Sequence, residues 1–284
     1  MISLETTTMP LLTLIVPIYN GAPYVAENVS EIVRTLETMG ETFEVLVVCD
    51  GSTDGTEAEV RNIADPRIRV LHYEQNHGKG HAICFGVPHA RGRLVGWLDA
   101  DLDIEPEAIV AGVRRFEHGE IDAVIGSKRH GDSEVDYPPL RRLMSWGFQL
   151  LARSLVQVNV RDTQVGAKVF RREMLDFVVP LLLIKRYAFD LELLAVGGQF
   201  GFDRIEEMPV RLHYRFTGTS INRQAVQRMF IDTLAIAYRI HLRHWYVRQF
   251  SALQRERTDA QKALDTQVAI SPSRTDLETL TSHP

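Results

Sequence analysis

Apolar and polar positions alternate along this chain in blocks. LLTLIVPIYN (Leu11–Asn20) is an unbroken apolar run that stops at a polar turn, the pattern of a strand buried on both faces. AENVSEIVRTLETMG (Ala26–Gly40) repeats apolar residues at helical spacing, at Val29, Ile32, Val33 and Leu36, and Gly40 supplies a stop. FEVLVVCDGSTDGT (Phe43–Thr56) is a second apolar run entering a Ser/Asp/Gly turn. A short helix, a third strand (Ile68–Glu74), a glycine-containing turn with a helix (NHGKGHAICFGVPHA) and a fourth strand (RLVGWLDAD) follow. Strands alternating with helices predict an α/β domain with a mostly parallel sheet and right-handed crossovers.

Past residue 120 the rhythm changes. IDAVIGSKR (Ile121–Arg129) reads as a strand ending on Lys128 and Arg129, and Arg141–Gln157 as a helix with two arginines in its first turn. Val160–Asp176 reads as a turn, a short strand and a helix start, and FDLELL opens a further helix. Residues 221–250 are helical, apolar and rich in arginine (Arg223, Arg228, Arg239, Arg243, Arg248). The expected organisation is an extension at 1–10, one α/β domain at 11–220, an amphipathic arginine-rich helical segment at 221–250, and a disordered tail at 251–284.

The polar clusters all fall where strands end. Tyr19 and Asn20 follow the first, Asp50 the second, Asn76–Gly80 the third, Asp99–Asp103 the fourth. In open α/β sheets the carboxyl edge is where ligands bind. Asp50 is a candidate acceptor for a nucleobase or ribose diol; the neighbouring Ser52, Thr53 and Asp54 equally suit a helix cap. In NHGKG two glycines allow close backbone approach to a ligand and Lys79 offers a charge for phosphate, although the spacing is not that of a P-loop. Asp99, Asp101 and Asp103 alternate. On an extended chain they point one way and suit Mg²⁺ or Mn²⁺, with Asp103 or Glu105 also placed to cap the helix near Pro106. Arg129, Arg141 and Arg142, with Ser145 a turn later, form a basic group fitted to phosphate oxygens, or to pairing with Asp132, Glu134 and Asp136.

Composition narrows the classes. The 284 residues are 45% hydrophobic and 24% charged, with net charge -5, which speaks against a nucleic-acid binder. The 2 cysteines, Cys49 and Cys84, exclude a disulfide framework and make a cytoplasmic setting the default. The start MISLETTTMP lacks the basic region of a signal peptide, and no apolar run reaches the roughly 18–20 residues of a membrane span. Soluble and membrane-surface placements both stay open. Residues 223–248 fit an anionic lipid surface or a helix packed on the domain with a solvated arginine face.

The order VPIYNG, VVCDGSTDGT, NHGKGHAI, WLDADLDI resembles the family 2 inverting glycosyltransferases with a GT-A fold. GSKR, PLRRLMSWGFQLLAR, RDTQVGAKVFRR, FDLELL and HYRFTGTS are closer to the dolichyl- and polyprenyl-phosphate sugar synthases. The resemblance covers about Leu11 to Arg228. It implies a Rossmann-like, mostly parallel sheet flanked by helices. It implies Pro17, Tyr19 and Asp50 on the nucleoside, Lys79 and Gly80 nearby, and Asp99 on the nucleotide-sugar. Asp101 and Asp103 would hold Mg²⁺ or Mn²⁺, and Arg129, Arg142 and Ser145 the acceptor phosphate, with Arg141 as alternate. Arg215 and Ser220 would face the donor diphosphate. Gly21 stands where relatives carry Glu, and Ile221 where they carry Lys.

The implied reaction is inverting transfer of a hexose from UDP-glucose or GDP-mannose to a polyprenyl or dolichyl phosphate at the cytoplasmic face of a membrane. Two alternatives stay open: a soluble hydroxyl acceptor, with Asp190 as base or merely capping its helix, and a nucleotide-sugar-binding protein without catalysis.

Overall fold

The computed structural model describes residues 9–133, 152, 154–156, 158, 160–186, 188–212 and 223–270. Seven strands form one sheet in the order β3-β2-β1-β4-β6-β5-β7. They are β1 (Leu12–Ile18), β2 (Phe43–Asp50), β3 (Ile68–Tyr73), β4 (Leu94–Trp97), β5 (Ala123–Ser127), β6 (Lys168–Arg171) and β7 (Ile205–Pro209). β1 pairs in parallel with β2 and β4, β2 with β3, and β5 with β7. Only β6 runs antiparallel, between β4 and β5. The expected mostly parallel sheet flanked by helices is present.

Burial explains the pattern. Every residue of β1 and of β2 is buried, as continuous apolar runs covered on both faces require. Helix α1 (Val25–Glu37) buries Val25, Val29, Ile32, Val33 and Leu36 on one face, the spacing read from the sequence. Each such side chain contributes about 1.5–3 kcal/mol when fully buried. The other helices of this part are α2 (Thr56–Arg61), α3 (Lys79–Gly86), α4 (Glu107–Arg115), α5 (Arg172–Val178) and α6 (Phe189–Gln199).

Met1–Tyr238 and Arg239–Pro284 are two compact units. The first includes α7 (Arg223–Ala237), which packs on α6 and buries Thr233, Ile236 and Ala237 along one side. The sheet-bearing unit therefore extends past the boundary expected at residue 220, because α7 has a face to bury against it. In the second unit, α8 runs Trp245–Ile270, so the chain is helical through the first part of the tail expected to lack structure. QRERTDAQKALDTQVA is composed largely of Gln, Arg, Lys, Ala and Leu, all good helix formers. Propensity, rather than a periodic apolar face, marks this helix. Among the described residues no helix is long and apolar enough to cross a membrane.

Candidate functional site

A cleft of about 200 Å³ opens where β1, β2 and β4 end. Pro17, Tyr19, Asp50, Lys79, Asp99 and Asp101, each singled out in the sequence, line it, along with Ile18, Tyr24 and Ala100. The parallel pairing of β1 with both neighbours makes the three strand ends coincide. Residues 50 and 99, far apart in sequence, come together because each follows a strand of the same direction.

The carboxylates meet by a different route from the one expected. β4 stops at Trp97, and Asp99–Leu102 is a turn in which the Leu102 amide donates to the Asp99 carbonyl at 3.3 Å. Leu102 takes φ +54°, so the stretch is not an extended chain with three aspartates aligned. Asp99 and Asp101 line the cleft and Asp103 does not; the Asp103 amide donates to Asp101 Oδ1 at 3.2 Å. α4 has Pro106 at its N-cap position and no side-chain capping bond, so neither Asp103 nor Glu105 caps it.

Positive charge does stand at this cluster. Lys79 Nζ lies 2.5 Å from Asp99 Oδ1, both side chains about 35% exposed. Burial works against the Lys79 ammonium, but Asp99 and Asp190 outweigh it and raise its pKa. Asp101 is pushed up to about 6, first by burial and then by the charge of Asp99. Gly166 closes over the pair. A Cβ there would stand 2.0 Å from Asp99 Oδ2, so only glycine leaves the carboxylate its place.

Asp50, last in β2, is bound from within the protein. Its Oδ1 accepts from the Tyr73 hydroxyl (2.9 Å) and the His77 amide (2.8 Å), its Oδ2 from Asn76 Nδ2 (3.0 Å) and the Gly78 amide (2.8 Å). Burial, then the bond to Asp50, drives the Tyr73 phenol pKa well above its ordinary value, so it stays a donor. The glycines of NHGKG serve conformation and packing in this structure. Gly78 adopts φ +96°, and a Cβ on Gly80 would meet Phe189 Cβ at 2.6 Å, where α3 lies against α6.

Behind the cleft, Lys168 is fully buried on β6, paired in register with Trp97. Its ammonium sits 2.8 Å from Asp190 Oδ1 at the start of α6 and also donates to the Val165 carbonyl. Burial lowers the Lys168 pKa, with Asp190 opposing. Asp190 therefore faces a buried cation, and no side-chain cap bond marks the start of α6.

Arg129 follows β5, half-buried, its amide donating to Ser127 Oγ at 3.4 Å. Arg141, Arg142, Ser145, Arg215 and Ser220 lie outside the described residues. Lys168, Gly166 and Tyr73 are the residues that sequence reasoning missed. A lysine inside the apolar VGAKVF was the available signal for Lys168, since a buried lysine needs a partner. Nothing local marked Gly166 or Tyr73.

Among the described residues no group of three or more His, Cys, Asp or Glu side chains is placed to hold a metal ion. Asp99 and Asp101 still fit one. They are two close carboxylates in a cradle that a single Cβ would fill, open toward the cleft where substrate oxygens complete a shell.

Residues 13–178 match the family described as Glycosyl transferase family 2. Dolichyl-phosphate beta-glucosyltransferase ALG5C of Trichomonas vaginalis is 31% identical over 250 residues, covering 83% of this chain and 73% of that one. Dodecaprenyl-phosphate galacturonate synthase of Rhizobium johnstonii is 28% identical over 233 residues, covering 80% and 66%. Among solved structures, glucosyl-3-phosphoglycerate synthase from Mycobacterium tuberculosis in complex with UDP superposes with TM-score 0.62 at 19% identity, over 81% of this chain and 79% of that one. The same enzyme was crystallised with Mn²⁺, UDP-glucose and phosphoglyceric acid, at TM-score 0.61. At that identity the likeness is one of fold, and the fold is GT-A.

Proposed function

The chain belongs to glycosyl transferase family 2, and from that premise we propose that it transfers a hexose, with inversion, from a nucleotide-sugar to a polyprenyl or dolichyl phosphate. UDP-glucose and GDP-mannose are the donors to test first. The observation that carries the reading is the convergence of Lys79, Asp99 and Asp101 on one cleft at the carboxyl edge of the sheet. Relatives named for dolichyl and dodecaprenyl phosphates support the acceptor.

Pro17, Tyr19 and Asp50 hold the nucleoside, with Lys79 and Gly80 nearby, and Asp99 contacts the donor. Asp101, with Asp103 or Asp99 beside it, would hold Mg²⁺ or Mn²⁺, which when bound would supply charge neutralisation of the leaving diphosphate. Arg215 and Ser220 bind that diphosphate, and Arg129, Arg141, Arg142 and Ser145 the acceptor phosphate, by the motifs they belong to. An oxygen of the acceptor phosphate attacks the anomeric carbon as its bond to the diphosphate breaks. A phosphate monoester is already ionised near neutral pH, so it needs steering and not deprotonation. Asp190 is engaged in an ion pair with the buried Lys168 ammonium.

The catalytic unit spans 11–220 and α7, and acts at the cytoplasmic face of a membrane. On α7, Phe230, Ile231 and Leu234 are exposed, at 44, 61 and 43%, and Tyr238 just after it at 51%. Arg228 is exposed beside them. An apolar strip with basic neighbours suits the surface of an anionic bilayer.

The test is transfer of labelled sugar from UDP-glucose and GDP-mannose to a short-chain polyprenyl phosphate, with Mg²⁺ or Mn²⁺ and an Asp101→Ala control. Transfer lost in the control is the expected result. Donor binding without transfer to lipid would turn attention to hydroxyl acceptors.

A further inference from the structure

Tyr24 lines the cleft together with Pro17 and Tyr19 at the end of β1 and Asp101 of the acidic turn. Its side chain is half-buried. Room for the ring comes from Gly21. A Cβ there would lie 2.3 Å from Ile18 Cδ1 and 3.0 Å from Tyr24 Cζ, the ring carbon that bears the hydroxyl. Any side chain at position 21 would press on that end of the ring. The turn that carries Tyr24 is fixed on both sides. Upstream, the Asn20 amide donates to Ser52 Oγ (3.0 Å), the Gly21 amide to Thr56 Oγ1 (2.9 Å) and the Ala22 amide to Asp54 Oδ2 (3.0 Å). Downstream, the buried Asn28, one turn into α1, donates from Nδ2 to the Ala100 carbonyl at 2.8 Å. The start of α1 is thereby tied to the acidic turn.

Burial, then the charges of Asp101 and Asp54, raise the Tyr24 phenol above its ordinary pKa. At neutral pH the hydroxyl is intact, and it can both donate and accept a hydrogen bond. The strand ends along the cleft follow the order β2, β1, β4. A nucleotide laid along it has its base toward Asp50 on β2 and its diphosphate toward the carboxylates after β4. The sugar between them crosses the end of β1, from which the chain runs directly into Gly21–Tyr24. Resting on the nucleotide-sugar reading above, we infer that Tyr24 binds the ribose of the donor through a hydrogen bond to its 2′- or 3′-hydroxyl, and so makes the site select ribonucleotides over deoxyribonucleotides. A diphosphate oxygen only accepts, and would compete with Asp101 and Asp54 for the phenol proton. A ribose hydroxyl both donates and accepts, so it can bond the phenol oxygen while that proton is turned to a carboxylate.

The role predicts a pattern of losses that a phenol acting elsewhere would not give. Competition binding of UDP and GDP, and of the 2′-deoxy and 3′-deoxy form of each, is measured with Mn²⁺ on the full chain, wild type and Tyr24→Phe. Phenylalanine keeps the ring and its packing against Gly21, so the variant folds. Wild type is expected to bind one of the two deoxy forms more weakly than the ribonucleotide by about three- to tenfold, the scale of one hydrogen bond. Tyr24→Phe should weaken the ribonucleotide by a similar factor and leave that deoxy form as in wild type, because the other partner of the bond is already gone.

The inference is overturned if Tyr24→Phe leaves ribonucleotide affinity unchanged. It is overturned equally if the variant weakens the ribonucleotide and both deoxy forms by one common factor, which would put the hydroxyl on the diphosphate or on Asp101. Wild type binding neither UDP nor GDP would sink the nucleotide-sugar reading itself, a distinct outcome that takes this inference with it.

Discussion

Lys79 Nζ lies 2.5 Å from Asp99 Oδ1, so the lysine that opens α3 is the counter-ion of the acidic turn after β4. The contact answers the physical problem posed by clustered aspartates at the end of an apolar strand. It also gives Lys79 two opposed effects. The ammonium attracts a diphosphate, and it competes with a metal for Asp99. Lys79→Met should therefore weaken UDP binding by about tenfold or more while tightening Mn²⁺ binding measured without nucleotide. Calorimetric titration of each ligand checks both signs. Equal weakening of both would mean that Lys79 supports the fold of the site and not its charge balance.

Asp101 makes the metal-free protein less stable as pH rises. Its carboxyl is pushed up to about 6 by burial and by Asp99, against about 3.9 unfolded. Between those values the folded state holds more protons than the unfolded one, so stability falls from about pH 4 to about pH 6 and the full penalty stands above that. Asp101→Asn should raise stability by about 1–3 kcal/mol at pH 7.5 and change little below pH 4. Thermal melts of both proteins in chelator across that range test it. A gain independent of pH would disprove the assignment to ionisation.

Lys168 and Asp190 should be costly to change singly and cheaper together. Removing one partner leaves a buried charge, at about 3–5 kcal/mol. Lys168→Met and Asp190→Leu, measured by chemical denaturation, should each fall in that range, and the double variant should recover much of the loss. Asp190→Asn should retain sugar transfer to polyprenyl phosphate to within about tenfold, whereas loss of a general base costs about 10²–10⁴-fold. A collapse of turnover with folding intact would make Asp190 the base and favour a hydroxyl acceptor.

Gly166→Ala places a methyl where Asp99 Oδ2 now sits, 2.0 Å away. The carboxylate, as the free end of a side chain, can swing aside, so the fold should survive. Its displacement by about 1 Å or more should reduce kcat/KM by about 10²-fold with little change in Tm. Unchanged turnover would show that Asp99 does not need its present position.

The exposed strip on α7 gives a prediction about placement. Phe230→Ser with Leu234→Ser should reduce sedimentation with vesicles containing anionic phospholipid by about tenfold, since each side chain buries apolar area when it inserts. Unaltered binding of the double variant would move the membrane contact elsewhere.

What the sequence determined by itself was everything carried by local pattern. The continuous apolar runs of Leu11–Asn20 and Phe43–Asp50 had to be buried on both faces, and the 3.6-residue spacing of Val29, Ile32 and Leu36 had to be one face of a helix. Strand–helix alternation implied parallel pairing, and parallel pairing implied that Asp50, Lys79 and Asp99 share an edge. Tertiary structure decided what depends on contacts between distant residues. Asp99–Asp103 looked extended because alternation suggests it, but Leu102 takes φ +54° and the stretch is a turn. Asp50 could be placed at the binding edge because it ends a strand, but the groups that hold its oxygens, Tyr73, Asn76, His77 and Gly78, come from the next strand and the turn after it. Lys168 could be seen as a lysine in an apolar strand, but its partner Asp190 stands on another element, brought there only by packing. Periodicity reports which face of an element is buried; it does not report which group waits there, because that neighbour belongs to a different stretch of chain.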